Sequence, residues 1–261
     1  MRQSQPYECP WADEEIELFR DMVTRFLDTE MAPEDEAARK RGHVGHEIWR
    51  RAGELNLLCS DIPEEYGGAG GDFRHEAVFL EEMARRGLTG MNTGVHSIVA
   101  HYLLNHGTAE QRERYLPRMA RGELVGAIAM SEPDAGSDLQ AIRTRAVADG
   151  DHYRLSGAKT WISNGYLAGL VLVVCKTDPS AGAKGTSILI AETEGLDGYR
   201  VGRVLDKIGM KAQDTSELFF DEVELHRDQL LGGEEGKGFY QLMGDLPYER
   251  LIISVNAVGA I

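Results

Sequence analysis

Among 261 residues only three are cysteine, Cys9, Cys59 and Cys175, and they lie too far apart for a compact metal-binding series or a dense disulfide scaffold. A reducing compartment is the simplest expectation. Basic residues are also scarce, with 28 lysines and arginines against 43 aspartates and glutamates and a formal charge of -15. A phosphate backbone needs a local excess of positive charge, so nonspecific nucleic-acid binding is disfavoured, while an anionic small ligand can still be held by a local patch. No uninterrupted apolar run reaches the length of a membrane span. Neither a basic start followed by an apolar run nor a basic, serine-rich transit stretch is visible, and a cytoplasmic location is expected on that ground. Complete phosphate-loop and dinucleotide fingerprints are missing: GAGG at 68–71 and GKG at 236–238 are fragments. His96, His101 and His106 recur at five-residue intervals without a joined cysteine or carboxylate set, so packing or surface placement is preferred to a metal site.

What the chain does contain changes character twice. From Trp11 to about Arg121 it reads mostly as helices. In the opening stretch Ile16, Phe19, Val23 and Phe26 recur at helical spacing, leaving carboxylates on the wet side. A helix around HEIWRRAGELNLL stops before DIPEEYGGAGG, where Pro63 and four glycines interrupt regular structure. The nearly uncharged TGMNTGVHSIVAHYLLNHG predicts a helix buried on more than one side. Beyond Gly122, the runs VGAIAM, HYRLSGAKTWIS, LVLVVCKT, GTSILIAET and TSELFFDEVEL predict antiparallel strands sharing one sheet core. After Gly232 a glycine-rich connector leads to a short helix and the opening of a longer one, with Pro247 at its first position and Glu249 in its first turn. The expected fold class is α+β multidomain. It comprises an N-terminal helical domain (1–122), a middle antiparallel β domain (123–232) and the beginning of a truncated C-terminal helical bundle (233–261).

Three segments carry chemistry. In MSEPDAGSD, Ser131 and Ser137 offer hydroxyls and Gly136 permits close approach of backbone to a flat or phosphorylated ligand; a serine- and proline-rich turn explains the same residues. In KTWISNG, Trp161 and Ser163 share one side of a regular strand, which suits a flavin ring, although a core tryptophan before an Asn-Gly turn fits equally. Glu249 is either a proton-abstracting carboxylate near an acyl carbon or a first-turn glutamate that compensates the helix N-terminus. Arg250 is either a partner for a carboxylate or phosphate, or a solvated helix arginine.

Taken together and in this order, the helical opening, PEEYGG, MSEPDAGSD, TWISNG, LDKIGMKAQDTSELFFDEVEL and GKGF resemble the acyl-CoA dehydrogenases over essentially the whole chain. The resemblance implies a flavoprotein that binds FAD. Met130 and Ser131 then resemble flavin contacts, Ser137 the residue beside the cofactor pyrophosphate and a substrate-binding position, and Trp161 and Ser163 the aromatic cover and polar contact of the isoalloxazine. DLPYERL resembles the long-chain and isovaleryl-like subset, which carries the catalytic glutamate in this earlier helix. That likeness implies Glu249 as the base and Arg250 as a neighbouring arginine supporting the substrate site. The implied reaction is α,β-dehydrogenation of an acyl-CoA to a trans-2-enoyl-CoA, with electrons passed to an electron-transfer flavoprotein by a homodimer or homotetramer. A related flavin oxidase or nitroalkane-oxidising protein is the neighbouring alternative, told apart by the oxygen reactivity of its reduced flavin. A noncatalytic acyl-CoA-binding fragment is the alternative from another class, told apart by acyl-CoA binding without flavin.

Overall fold

The computed structural model describes residues 10–261; Cys9 lies outside them. Helix α1 (Glu14–Phe26) begins where the Asp13 carboxylate accepts the Ile16 amide at 3.1 Å, and three glutamates fill its first turn. Its four predicted apolar positions are buried, packing into a core shared with α4 (Phe73–Arg85), where Phe26 and Phe79 lie 6.2 Å apart. Short helices α2 (Asp35–Arg41) and α3 (His46–Glu54) complete this layer. Two further helices follow, α5 (Thr93–His106) and α6 (Ala109–Ala120). As predicted, α5 is enclosed on several sides: Val99, Ala100, Tyr102 and Leu103 are fully buried.

The sheet contains β1 (Gly126–Ala129), β2 (Arg145–Asp149), β3 (His152–Ser163), β4 (Leu170–Lys176), β5 (Thr186–Glu192), β6 (Tyr199–Val204) and β7 (Thr215–His226). The order is β1-β4-β2-β3-β7-β6, with β5 also on β4. Pairs β2–β3, β3–β7, β4–β5 and β6–β7 are antiparallel as expected, whereas β1 runs parallel to β4. Strand β4 is apolar at nearly every position because both its faces are covered. Leu170, Leu172 and Val174 join the helical core around α5 and α6, and Val171, Val173 and Cys175 join the core shared with β7.

The last helix departs from expectation. In place of a short helix followed by a second one, α7 runs unbroken from Gly238 to Ala260, and Pro247 lies inside it. A proline there deprives the Met243 carbonyl of its intrahelical donor. Met243 itself lies on the exposed side of the helix. Glu249 therefore sits in the middle of α7, outside the first turn where a helix N-terminus attracts negative charge.

Candidate active site

Strand β3 brings the two central motifs together. Its register against β7 slips between Lys159 and Ile162, and at this bulge Trp161 takes a left-handed backbone conformation, φ +61°. Such a conformation is unusual for a bulky side chain and costs on the order of 1–3 kcal/mol. Trp161 is 63% exposed, which disposes of the core-tryptophan reading. The bulge also removes the regular pleat on which the shared face of Trp161 and Ser163 was argued. Ser163 is half-buried and its hydroxyl accepts from the Gln213 amide at 3.3 Å.

On either side of Trp161 the chain is tied to MSEPDAGSD. The Thr160 amide donates to the Ser131 carbonyl at 3.0 Å, and the Lys159 ammonium donates to the Met130 carbonyl at 3.0 Å and to Glu132 Oε1 at 2.8 Å. Burial alone would raise the Glu132 carboxyl. The Lys159 ammonium and the amides of Thr144 and Arg143 outweigh it and hold Glu132 below the usual range. Met130 and Ser131 thus stand half-buried beside an exposed indole. Ser137 is exposed farther along the loop, and a Cβ on Gly136 would meet nothing within 4 Å. This exposed, rigidly tied surface suits a flat aromatic ring with a polar tail, so the residues present fit a flavin nucleotide.

The second half of the site is the seam between α5 and α7. Asp245, Glu249 and Ile252 share one face of α7. Asn105 donates to Asp245 Oδ1 at 2.7 Å, and His106 Nε2 lies 2.6 Å from Oδ2. The Tyr102 hydroxyl donates to Glu249 Oε1 at 2.9 Å. Burial raises the Glu249 carboxyl above its usual range; Tyr102 pulls down, Asp245 adds to the rise and Arg250 opposes it. Arg250 itself is exposed. The preceding residue, Tyr248, bonds Ser97 at 2.7 Å and donates to Asp61 at 3.2 Å, and its ring stacks on His101 with centroids 4.0 Å apart.

No hydrogen bond joins Glu249 to the Met130 or Trp161 segments among the described residues, but α5 supports both. The Asn164 side chain, just past β3, donates to the Asn92 carbonyl at the start of α5 and to Gly126 on β1. Toward its other end α5 carries Tyr102. Met130 and Tyr248 pack on the core cluster to which Tyr102 belongs. Sequence reasoning passed over Tyr102, Asp245 and Lys159. Lys159 alone left a signal, a cation inside a strand with an acid in the neighbouring motif. Tyr102 left none beyond its place in a helix expected to be buried.

Family models for the acyl-CoA dehydrogenase N-terminal domain and middle domain match residues 13–123 and 127–223. The chain belongs to the acyl-CoA dehydrogenase family. A mitochondrial long-chain specific acyl-CoA dehydrogenase of Mus musculus is 47% identical over 249 residues, 94% of this chain and 57% of that relative. A mitochondrial isovaleryl-CoA dehydrogenase of Solanum tuberosum is 37% identical over 251 residues, 95% of this chain and 60% of the relative. The crystal structure of an acyl-CoA dehydrogenase from Geobacillus kaustophilus superposes with a TM-score of 0.92 at 42% identity, covering 97% of this chain and 67% of that one. The chain thus spans a little over half the length of the curated relatives it matches. One expectation falls here. The curated acyl-CoA dehydrogenases compared are named as mitochondrial, which overturns the cytoplasmic location argued from the look of the N-terminal residues. The physical reason is that a cellular address is a feature separable from the fold, so neither composition nor packing reports it.

Proposed function

We propose that this protein dehydrogenates an acyl-CoA thioester between its α and β carbons, with FAD as cofactor and Glu249 as the base. The observation that carries the reading is the position of Glu249: mid-helix, half-buried and held by one hydrogen bond, where service as a helix cap is not available to it. Met130, Ser131, Trp161 and Ser163 would hold the flavin ring, and Ser137 the phosphate end of the cofactor and the neighbouring substrate. When bound, FAD supplies the acceptor for the hydride leaving the β carbon. Glu249 takes the α proton, and its raised affinity for protons in a desolvated setting strengthens it as a base once ionised. The positive charge of Arg250 favours an anionic neighbour, either the thioester's phosphate-bearing carrier or the carboxylate itself. The product is a trans-2-enoyl-CoA, and an electron-transfer flavoprotein is the proposed recipient of the electrons. We assign residues 1–122, 123–232 and 233–261 to helical, β and C-terminal helical domains of an enzyme that forms a homodimer or homotetramer.

The test is an anaerobic titration of the full-length, FAD-loaded protein with straight and branched acyl-CoAs, following loss of the oxidised flavin's visible absorbance. Reduction by one class is expected, and that class gives the acyl preference. Glu249→Gln should retain FAD and slow reduction by about a hundred- to ten-thousandfold, the usual contribution of a positioned general base. Fast reduction by that variant removes Glu249 from the mechanism. A wild-type protein that binds FAD and is reduced by no acyl-CoA rejects the reaction.

A further inference from the structure

A base on α7 must be dry enough to abstract a carbon-bound proton and ionised enough to accept one, and burial opposes the second requirement. The titratable groups around Glu249 are Asp245, Tyr248 and Arg250 on α7, His101, Tyr102 and His106 on α5, Glu76 on α4, and Asp61 in the segment before α4. Most are engaged elsewhere. Asp245 is bonded by Asn105 and His106, while His101 and Tyr248 both turn to Asp61. Glu76 faces Asp61, and Arg250 projects outward. Among the described residues, Tyr102 alone places a hydrogen-bonding atom on the Glu249 side chain.

We propose that Tyr102 is the positioning residue of the base, its hydroxyl holding the Glu249 carboxylate ionised and aimed. The inference rests on Glu249 being that base. A phenol that donates to a carboxylate favours the charged form and fixes one oxygen in space. Tyr102 engages Oε1 and leaves Oε2 to take the proton. The donor is itself locked, because its side chain is fully buried in the core around α5 and its ring meets His106 with centroids 5.9 Å apart. Burial and the nearby Glu249 charge push the Tyr102 hydroxyl far above its ordinary range, so it keeps its proton and remains a donor wherever the enzyme works.

Tyr102→Phe removes one oxygen atom and preserves the ring, so the helix packing survives. In the full-length, FAD-loaded protein, flavin reduction by a saturating acyl-CoA is followed in a stopped-flow instrument across the acid and neutral range. The expected result is an acid limb displaced to higher pH. At the foot of that limb the rate falls roughly tenfold, the smaller end of what a hydrogen bond to a charged group contributes, while the alkaline plateau changes less than about threefold. A second readout needs no turnover. Infrared difference spectra identify the protonated Glu249 carboxyl band as the one missing from Glu249→Gln, and in Tyr102→Phe that band persists to higher pH than in the wild type. Superimposable pH profiles with an unmoved band overturn the proposal, as does a uniform loss of rate with an unshifted limb. If Glu249→Gln is itself reduced rapidly, the base assignment fails and takes this inference with it. If Glu249→Gln is slow and the Tyr102→Phe limb stays in place, the inference about Tyr102 fails alone.

Discussion

Trp161 shows what a single residue can be made to tolerate. Its left-handed backbone stores strain, and its side chain is mostly in solvent, so little packing within this chain repays the cost. Glycine at this position relieves the backbone and loses few contacts, although it adds entropy to the unfolded chain. Trp161→Gly is therefore expected to leave the thermal midpoint of the flavin-free protein level or higher, while weakening FAD affinity by about tenfold or more, an aromatic face being the lost contact. Calorimetry without cofactor and a fluorescence titration with FAD read the two effects separately. A tryptophan kept for packing would lower both. The sequence singled out this residue from its motif, but the bulge that turns it outward depends on how β3 meets β7, a long-range pairing that no local pattern encodes. For the same reason Tyr102 escaped notice, since its partner lies 147 positions away.

Among the elements, β3 acts through Lys159, whose side chain is wholly buried against Glu132. Removing one member of such a pair leaves an uncompensated charge in the interior. Lys159→Met should destabilise the protein by about 3–5 kcal/mol in urea unfolding and loosen the Met130–Ser131 segment it bonds. Acid should erase part of the difference. Because Glu132 has a depressed carboxyl in the folded protein, its contribution is complete above the ordinary carboxylate value and is lost as pH falls through the folded one. The gap between wild type and Glu132→Gln is accordingly widest near neutrality and closes in acid. Periodicity identified the apolar face of α1 and the enclosure of α5, because those follow from which side chains must leave water. It misread the start of α7, where packing against α4 and α5 carries a helix through a proline that local propensity treats as a beginning.

For the whole molecule, a cofactor that binds the folded protein and not the unfolded chain stabilises it by mass action. At a hundredfold excess of FAD over its dissociation constant the gain is about 2.7 kcal/mol. That should raise the thermal midpoint of the full-length protein on the order of 5–10 °C, with a further rise at each increase in concentration. A midpoint indifferent to FAD would contradict the flavin reading. The order of helical and β regions was legible from changes in composition along the chain. Compartment was not, since no core residue encodes it.

Pro247 gives α7 the mechanics of a lever. From Pro247 to the end of the helix is about 20 Å at 1.5 Å per residue, whereas Glu249 lies only about 3 Å along the axis from the joint. A tilt of about 10° at the missing hydrogen bond would swing the far end by roughly 3 Å and move the backbone of Glu249 by roughly half an ångström. The backbone of Glu249 sits near the fulcrum, so a tilt at Pro247 displaces the far end of α7 several times farther than it displaces that backbone.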